Sequence, residues 1–321
     1  MRPRRWKAAL AALVVIVVGG MAIALVQQIS PSSPSQVNAA PAGEGGVPAA
    51  LVAPRVTAPE PAPRERAVAV LRGLLSSPSP RIARAAAIGL ARMCDPGAKA
   101  HLVEVTATES SEIARLENAY VLARCGDDSG RQALVAALRN ERRDVKADAA
   151  RHLTALGEDS GLSFLHSLLG ISQHRLGAAE ALASRQDPKA IAALKAIHGA
   201  SDTEPADRLR AAIALGLAGD ASVSGELRAA LADPRFRPAA AAALARLGDA
   251  AARDALVDGL GVPSLRVDAA RGLRRLSPDL DAGPLVAPLL DALVTERDNS
   301  QVSAAEALLV LTGPAADAEK P

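Results

Sequence analysis

One short phrase recurs along most of this chain: two small residues, usually Ala-Ala, followed by two variable residues and a Leu. The Leu of this phrase returns every 29 to 35 residues, from Leu90 in the first copy to Leu308 in the eighth. In the first seven copies an Asp follows the Leu after five or six residues. Eight copies with a period of about 31 residues predict an array of small stacked units rather than one large core.

Each unit has the pattern of two helices joined by a turn. In the third unit, Gly130 to Arg139 is expected to form helix A, and Asp144 to Leu156 helix B. The apolar fraction of 49% is mostly Ala, Leu and Val, with only four aromatic residues, and Ala and Leu favour helices. The recurring Asp stands just before the next helix A, where its carboxylate can cap the helix. We therefore expect an all-α fold, a superhelical α-solenoid of about eight helix-turn-helix units.

Three of the phrases, RIARAAAIGLARMCD, VKADAARHLTALGED and LRVDAARGLRRLSPD, resemble HEAT repeats of the short, phycobilisome-lyase-like type. The resemblance covers residues 65–313, about three quarters of the chain, and implies an α-solenoid. Proteins built on this fold have very different roles, so the resemblance implies an architecture rather than an activity.

The N-terminal segment has the pattern of a membrane anchor. Ala8 to Val26 is nineteen residues without a charge, which as a helix would span roughly 28 Å, close to the thickness of the hydrocarbon core. Four basic residues precede it, which predicts a cytoplasmic N-terminus and an exported remainder. Residues 1–29 are thus expected to form a single-pass transmembrane helix that leaves the repeats on the periplasmic or extracellular side. The alternative is a cleaved signal peptide and a secreted product, since Ala22-Ile23-Ala24 and Val37-Asn38-Ala39 are possible cleavage sites.

The next segment, residues 30–64, contains eight prolines among Ser, Gly and Ala. Proline breaks helices and cannot donate to a sheet, so this composition predicts a disordered linker. Residues 65–313 follow as the repeat region, and residues 314–321 are expected to be a disordered tail.

The charge balance argues against a nucleic-acid partner. The net charge is +2, but four of the 37 basic residues precede the first apolar run. Without those four, 33 basic residues face 35 acidic ones. A nucleic-acid-binding domain would be expected to carry excess positive charge on its folded part. We therefore expect a protein partner, of unspecified identity, and no nucleic acid.

A column of basic residues stands three positions before the Ala pair in six consecutive units. Its members are Arg115, Lys146, Arg175, Arg208, Arg237 and Arg266. The favoured interpretation is structural: each base pairs with the recurring Asp of a neighbouring unit. The alternative is a basic stripe on the B helices that binds an acidic partner. Tyr120 occupies a position that holds Ile, Arg or Glu in other units, so it could be an exposed anchor for a partner.

Cys94 and Cys125 are the only cysteines, and both lie at the end of helix B in adjacent units. Neighbouring helices lie about 8 to 10 Å apart, whereas a disulfide needs Cα atoms within about 7 Å. The two cysteines are offset by one position in the repeat, which could bring them together. Both a disulfide and a pair of small buried apolar residues are therefore open.

The sequence contains no motif for a metal or a cofactor. Deoxyhypusine hydroxylase, a HEAT-like branch, binds iron through His-Glu dipeptides, and none of the five histidines here is followed by Glu. No phosphate-binding loop, nucleophile elbow or Cys-x-x-Cys is present either. We therefore expect no catalytic, cofactor-binding or metal-ligating residues.

These features together predict a membrane-tethered, non-enzymatic HEAT-type scaffold that presents an extended surface to a protein partner outside the cytoplasm. One alternative is an enzyme or enzyme subunit with a cofactor-lyase role resembling that of phycobilin lyases. A further alternative is a nucleic-acid-binding HEAT-like protein that uses the basic column.

Overall fold

The computed structural model describes residues 61–314, and this part of the chain is all-helical, with no strand. The sixteen α-helices of these residues are α1 Pro63–Leu74, α2 Pro80–Ala91, α3 Pro96–Thr108, α4 Glu112–Arg124, α5 Asp128–Ala137, α6 Arg143–Ala155, α7 Leu162–Leu169, α8 Ser172–Ala183, α9 Pro188–Gly199, α10 Pro205–Leu217, α11 Ser224–Ala230, α12 Arg237–Arg246, α13 Arg253–Leu260, α14 Arg266–Leu276, α15 Gly283–Thr295 and α16 Asp298–Thr312. One-turn 3-10 helices precede α7, α11 and α13. The predicted all-α fold is confirmed.

Consecutive helices pair into eight units, with the odd-numbered helix as helix A and the even-numbered helix as helix B. Unit 1 is thus α1 and α2, and unit 8 is α15 and α16. The predicted anchor in residues 1–29, nearly all of the linker and the tail lie outside the described residues. Among residues 61–314, no helix is both long enough and apolar enough to cross a membrane.

The recurring acidic residue ends one unit and begins the next. Asp95, Asp187, Asp220 and Asp249 each accept hydrogen bonds from backbone amides at the start of the following helix A. The expectation needs correction in three units. The capping residue of α5 is Asp127 rather than Asp128, and Glu158, not Asp159, precedes the 3-10 turn before α7 and makes no side-chain cap. At the start of α15, the amide of Gly283 bonds Asp281 rather than Asp279.

The Ala pair and the Leu form the layer between helices A and B. In unit 1, for example, Ala86, Ala87 and Leu90 are fully buried. Glycine within helix B lets neighbours approach closely: a Cβ on Gly272 would lie 2.7 Å from a methyl carbon of Leu256. Gly272 of α14 therefore allows close packing against Leu256 of α13.

The eight units close on themselves, which the sequence did not indicate. Helix α16 packs against α14, as expected for neighbours, but also against α1 and α2. Each helix B contacts the next helix B, and α16 contacts α2, so the eight B helices form an inner ring. The A helices lie outside it. We call the junction of α16 with α1 and α2 the seam.

The seam includes an ion pair, a hydrogen bond and a close glycine contact. Arg92 of unit 1 makes an ion pair with Glu306, a buried carboxylate of α16. Arg64 donates a hydrogen bond to the carbonyl oxygen of Leu309 over 3.2 Å. Glu306 lies directly against Gly89, where a Cβ would be 2.9 Å from the Glu306 Cγ. Gly89 thus gives the room that the closing contact requires.

Candidate functional site

The basic column lies at the turn between helices A and B, and its members contact backbone rather than the Asp column. Arg175, Arg237 and Arg266 donate from Nε to the carbonyl oxygen six residues earlier, over 2.9, 2.8 and 2.8 Å. Arg115 and Arg208 reach equivalent carbonyls of Glu109 and Thr203 over 2.7 and 3.0 Å. Lys146 is half-buried and makes no such bond to any residue in 61–314.

Four of these carbonyls lie at the end of helix A, where backbone oxygens lack a partner within the helix, whereas Thr203 lies in the loop between α9 and α10. Arg115, Arg175, Arg237 and Arg266 therefore cap helix A of their own unit, and Arg208 holds the loop that follows it. The interpretation that each base pairs with the recurring Asp is wrong. A bond to a backbone carbonyl produces no pattern in the sequence. The arginine and Asp columns have the same period, and for that reason the sequence suggested that they pair with each other.

Arg266 is held more strongly than the other members of the basic column, because its guanidinium is buried and each of its three nitrogens makes a hydrogen bond. It makes a two-pronged ion pair with Glu296, with N–O distances of 2.9 and 3.0 Å. It also donates to the carbonyl oxygen of Ser300 over 3.0 Å and to the hydroxyl of Ser303 over 3.3 Å. Arg266 thus joins unit 7 to unit 8.

The Asp column takes its side-chain partners from the preceding helix A. Three are ion pairs, with N–O distances of 2.7 Å for Arg72–Asp95, 3.0 Å for Lys195–Asp220 and 2.7 Å for Arg228–Asp249. The fourth is a hydrogen bond of 2.7 Å between His166 Nε2 and Asp187 Oδ2. Hydrogen bonds from Ser222 and Lys195 lower the pKa of Asp220 to about 2. Each carboxylate thereby links two consecutive A helices.

Tyr120 is half-buried on α4 and stacks on His152 of α6, with ring centroids 4.8 Å apart. Burial lowers the pKa of His152. Cys94 and Cys125 are joined in a disulfide between units 1 and 2, with Cα atoms 5.3 Å apart. Cys94 has φ of 58°, the left-handed conformation that Gly126, Gly157, Gly219 and Gly248 adopt at the ends of other B helices.

The inner face of the ring carries the side chains that are not used in packing between A and B helices. Three positions of each helix B define it: the residue before the Ala pair, the residue after it, and the residue four further on. At the third position, the residues of units 1 to 8 are Arg92, Arg124, Ala155, Ser184, Leu217, Arg246, Arg275 and Val310. The sequence alone placed Tyr120 in the second of these columns but did not identify the third column.

Positive charge collects on one side of this inner face. We call units 6, 7, 8, 1 and 2, which meet across the seam, the seam arc, and units 3 to 5 the opposite arc. At the three inner positions the seam arc has five arginines, Arg92, Arg124, Arg246, Arg271 and Arg275, against the three carboxylates Glu117, Asp268 and Glu306. The opposite arc has two arginines, Arg151 and Arg210, against Asp148 and Glu180.

The charges of three arginines of the seam arc affect one another's pKa, although these residues lie far apart in the sequence. Burial lowers the pKa of Arg271, and the charges of Arg92 and Arg124 lower it further. Burial and the charge of Arg92 likewise lower the pKa of Arg124. Arg271 lies on α14 and Arg124 on α4, two B helices that are separated by the seam. Closure thus creates a cationic cluster that no single unit contains.

Arg124 is the least compensated member of this cluster. Its half-buried guanidinium makes no hydrogen bond or ion pair with any other residue in 61–314, and it lies 5.9 Å from the centre of the Tyr120 ring. Arg92, Arg124 and Glu306 line one small cavity of about 50 Å³ at the seam. Burial raises the pKa of Glu306, an effect that Arg92 and Arg271 oppose.

A larger cavity of about 470 Å³ opens beside the cluster, between α12, α13 and α14. Its walls are mostly apolar, and the charged residues that line it are Arg237, Asp258, Asp268, Arg271 and Arg275. Unit 6 has Ala239 and Ala242 at the first two inner positions, whereas every other unit has a larger residue or a glycine at one of them at least. These short side chains leave the space open. In the described part of the chain, no group of three or more His, Cys, Asp or Glu residues is arranged to hold a metal ion.

A family model described as HEAT repeats matches residues 58–123, 131–201 and 195–274, more than half of the chain. The chain belongs to the HEAT-repeat family. A search of the curated proteins found no match. Among solved structures, this HEAT-repeat chain is similar to human deoxyhypusine hydroxylase in complex with glycerol. The identity is 21% and the TM-score 0.36, over 78% of this chain and 96% of that one.

The expectation that the chain has no enzymatic activity requires correction. The hydroxylase is an enzyme, so helical arrays similar to this one do not exclude catalysis. A similarity at this TM-score assigns no reaction to the HEAT-repeat chain.

Proposed function

We propose that this HEAT-repeat chain, with repeats of the short, phycobilisome-lyase-like type, is a membrane-tethered scaffold. Its ring of B helices binds a protein partner outside the cytoplasm. The observation that carries the proposal is the concave seam arc, where neither Arg124 nor Arg246 makes an ion pair with another residue in 61–314. Charge that is left uncompensated on a concave face favours a partner of the opposite charge.

The proposed location rests on two features. The uncharged stretch from Ala8 to Val26 follows a basic cluster, as in a signal anchor. The disulfide between Cys94 and Cys125 is also typical of an oxidising compartment, since cytosolic thiols are kept reduced. Secretion after cleavage of the N-terminal segment is the alternative location.

A site-specific photo-cross-linking experiment tests the scaffold directly. A photoreactive residue replaces Arg246, which is exposed on the inner face of the seam arc, in the full chain in its native membrane. The matched control replaces Arg253, an exposed arginine on the outer helix α13. We expect a discrete cross-linked protein from position 246 and none from position 253. Cross-linking from 253 alone, or from neither position, would contradict the proposal.

The tether is tested separately by fractionation. We expect the full chain to stay in carbonate-washed membranes with its native N-terminus. External protease should release a fragment that contains the repeats by cutting within residues 30–60. A soluble secreted product that starts near Leu25 or Ala40 would show that the segment is a cleaved signal peptide.

A further inference from the structure

The cationic cluster and the apolar cavity of the seam arc are neighbours. Arg271 lines the 470 Å³ cavity, and it has the same inner position on α14 as Glu306 has on the adjoining α16. Glu306 pairs with Arg92 and lines the small seam cavity together with Arg92 and Arg124. A ligand on the inner face could therefore contact both features. Pockets of a few hundred Å³ with apolar walls and a few charged groups commonly hold small ligands or single anchoring side chains.

We propose that the seam arc binds an acidic peptide segment of a partner protein, with a carboxylate on Arg124 and Arg92 and a neighbouring apolar side chain in the cavity between α12, α13 and α14. This inference rests on the proposed scaffold function and specifies the chemistry of its partner.

The carboxylate contact follows from the unused donors of Arg124. A guanidinium has five N–H donors, and those of Arg124 make no bond to the protein in residues 61–314. Arg92 bonds Glu306 but is about one third exposed, so it can share a second carboxylate. A further anion would relieve the mutual repulsion of Arg92, Arg124 and Arg271. Arginine pairs with carboxylates through two parallel hydrogen bonds, which favours a carboxylate over a diffuse negative surface.

The apolar contact follows from the walls of the cavity. Ala239, Ala242, Leu256, Gly259 and Val262 contribute side chains or backbone without charge. Its volume exceeds that of a single aliphatic side chain, so a Leu or Ile of the partner fits without rearrangement. Burying such a side chain contributes about 1.5 to 3 kcal/mol, or about tenfold or more in affinity.

A peptide is favoured over a nucleic acid because the cationic cluster is small and has an apolar neighbour. Nucleic-acid sites depend on many phosphate contacts along a groove and on an overall positive domain. Here acidic residues outnumber basic ones beyond the N-terminal cluster.

Fluorescence anisotropy with three labelled hexapeptides tests the assignment on the full chain in mild detergent. The probes are (Glu-Leu)3, (Gln-Leu)3, which lacks the charge, and (Glu-Ser)3, which lacks the apolar side chain. We expect saturable binding of (Glu-Leu)3 that weakens with salt, and binding at least about tenfold weaker for each of the other two.

Variants separate the two halves of the site. Arg124→Gln should weaken (Glu-Leu)3 binding about tenfold, while Arg253→Gln, the same change on the outer helix α13, should leave it unchanged. Ala242→Leu, which fills the cavity, should weaken (Glu-Leu)3 about tenfold but leave (Glu-Ser)3 unchanged. The control for the added side chain is Ala155→Leu, which makes the same change on the inner face of unit 3. Circular dichroism must show unchanged helicity for each variant.

Three results would overturn the inference: no saturable (Glu-Leu)3 binding, binding that is unaffected by Arg124→Gln, or tighter Arg124-dependent binding of a labelled oligothymidylate. Cross-linking from position 246 without peptide binding would leave the scaffold in place and refute only the ligand chemistry. Peptide binding without any cross-linked partner would refute the scaffold and keep the ligand chemistry.

Discussion

The two arcs of the inner face are built from the same repeat but differ in how their charges are compensated. In the opposite arc, Arg210 pairs with Glu180 at 2.9 Å and with Asp207 at 3.3 Å, and Arg151 pairs with Asp148. These partners lie in the same or the adjacent unit. In the seam arc, Arg124 has no such partner among the described residues, and Arg246 has none there either. Units that follow one another in the sequence thus balance their charges locally, whereas excess charge collects where the two ends of the array meet.

The seam arc also has stronger links between its units. It contains the buried Arg266 network, the Cys94–Cys125 disulfide and the contact of Gly89 with Glu306. The opposite arc relies on exposed or half-buried ion pairs, which contribute little individually. The closing half of the ring thus has a covalent link and a buried ion pair between its units, which the described residues of the opposite arc lack.

Removal of a column arginine should cost far more in the seam arc than in the opposite arc. Arg266→Ala leaves Glu296 without its buried partner and should lower the free energy of unfolding by about 3 to 5 kcal/mol. Arg175→Ala, in unit 4, removes one bond to the Leu169 carbonyl and should cost about 1 kcal/mol. Urea denaturation of both variants measures the difference. Equal losses would show that the two arcs do not differ in this respect.

The disulfide gives the seam arc a covalent link that no other pair of units in residues 61–314 has. It closes a loop with a sequence separation of 31 residues, so its loss should cost about 3 to 4 kcal/mol by the loop-entropy estimate. We expect the Cys94→Ser/Cys125→Ser variant to unfold at lower urea concentration. Reducing agent should produce the same shift in the wild type and none in the variant. A wild type that is insensitive to reduction would contradict this role.

Two glycine substitutions should have opposite signs. Gly89→Ala places a Cβ against Glu306 at the seam and should destabilise the chain by about 1 to 3 kcal/mol. Gly177→Ala, within α8 of the opposite arc, meets no atom within 4 Å and should stabilise it by about 0.5 to 1 kcal/mol through helix propensity. Thermal unfolding followed by circular dichroism gives both values. Stabilisation by both changes would mean that the seam does not form as described.

The smallest predicted effect is the loss of stability in acid that Asp220 causes at the junction of units 5 and 6. Because the folded pKa of Asp220 is lowered to about 2, its ionised form stabilises the fold above the unfolded pKa near 4. That contribution is lost as the pH falls from about 4 towards 2. Asp220→Asn, which keeps a capping oxygen but no charge, should cost at most about 1 kcal/mol at pH 7. The difference from wild type should shrink in urea titrations at lower pH; a constant difference would exclude a charge effect.

The sequence was sufficient for the units but not for their closure. The Ala pair, the Leu and the Asp cap act within one or two helices, so their period predicts the eight helix pairs. Closure depends on the small rotation between successive units, added over the whole array, and no single residue encodes that sum. Glu306 and Arg92 are 214 residues apart, so their pairing could not be predicted from local patterns. The arginine column was assigned the wrong partner because its true partner is backbone.

The closed ring is tested most directly by one distance between its first and last units. Spin labels on cysteines introduced at Arg72 of α1 and Val294 of α15, both exposed, report it by double electron–electron resonance, since the native cysteines are bonded. Neighbouring helices lie 8 to 10 Å apart, so closure predicts a single narrow distribution at roughly 20 to 25 Å. An open array of eight units would separate the labels by roughly 60 to 70 Å on the same spacing. A distribution in that range would contradict the closed ring and, with it, the seam arc.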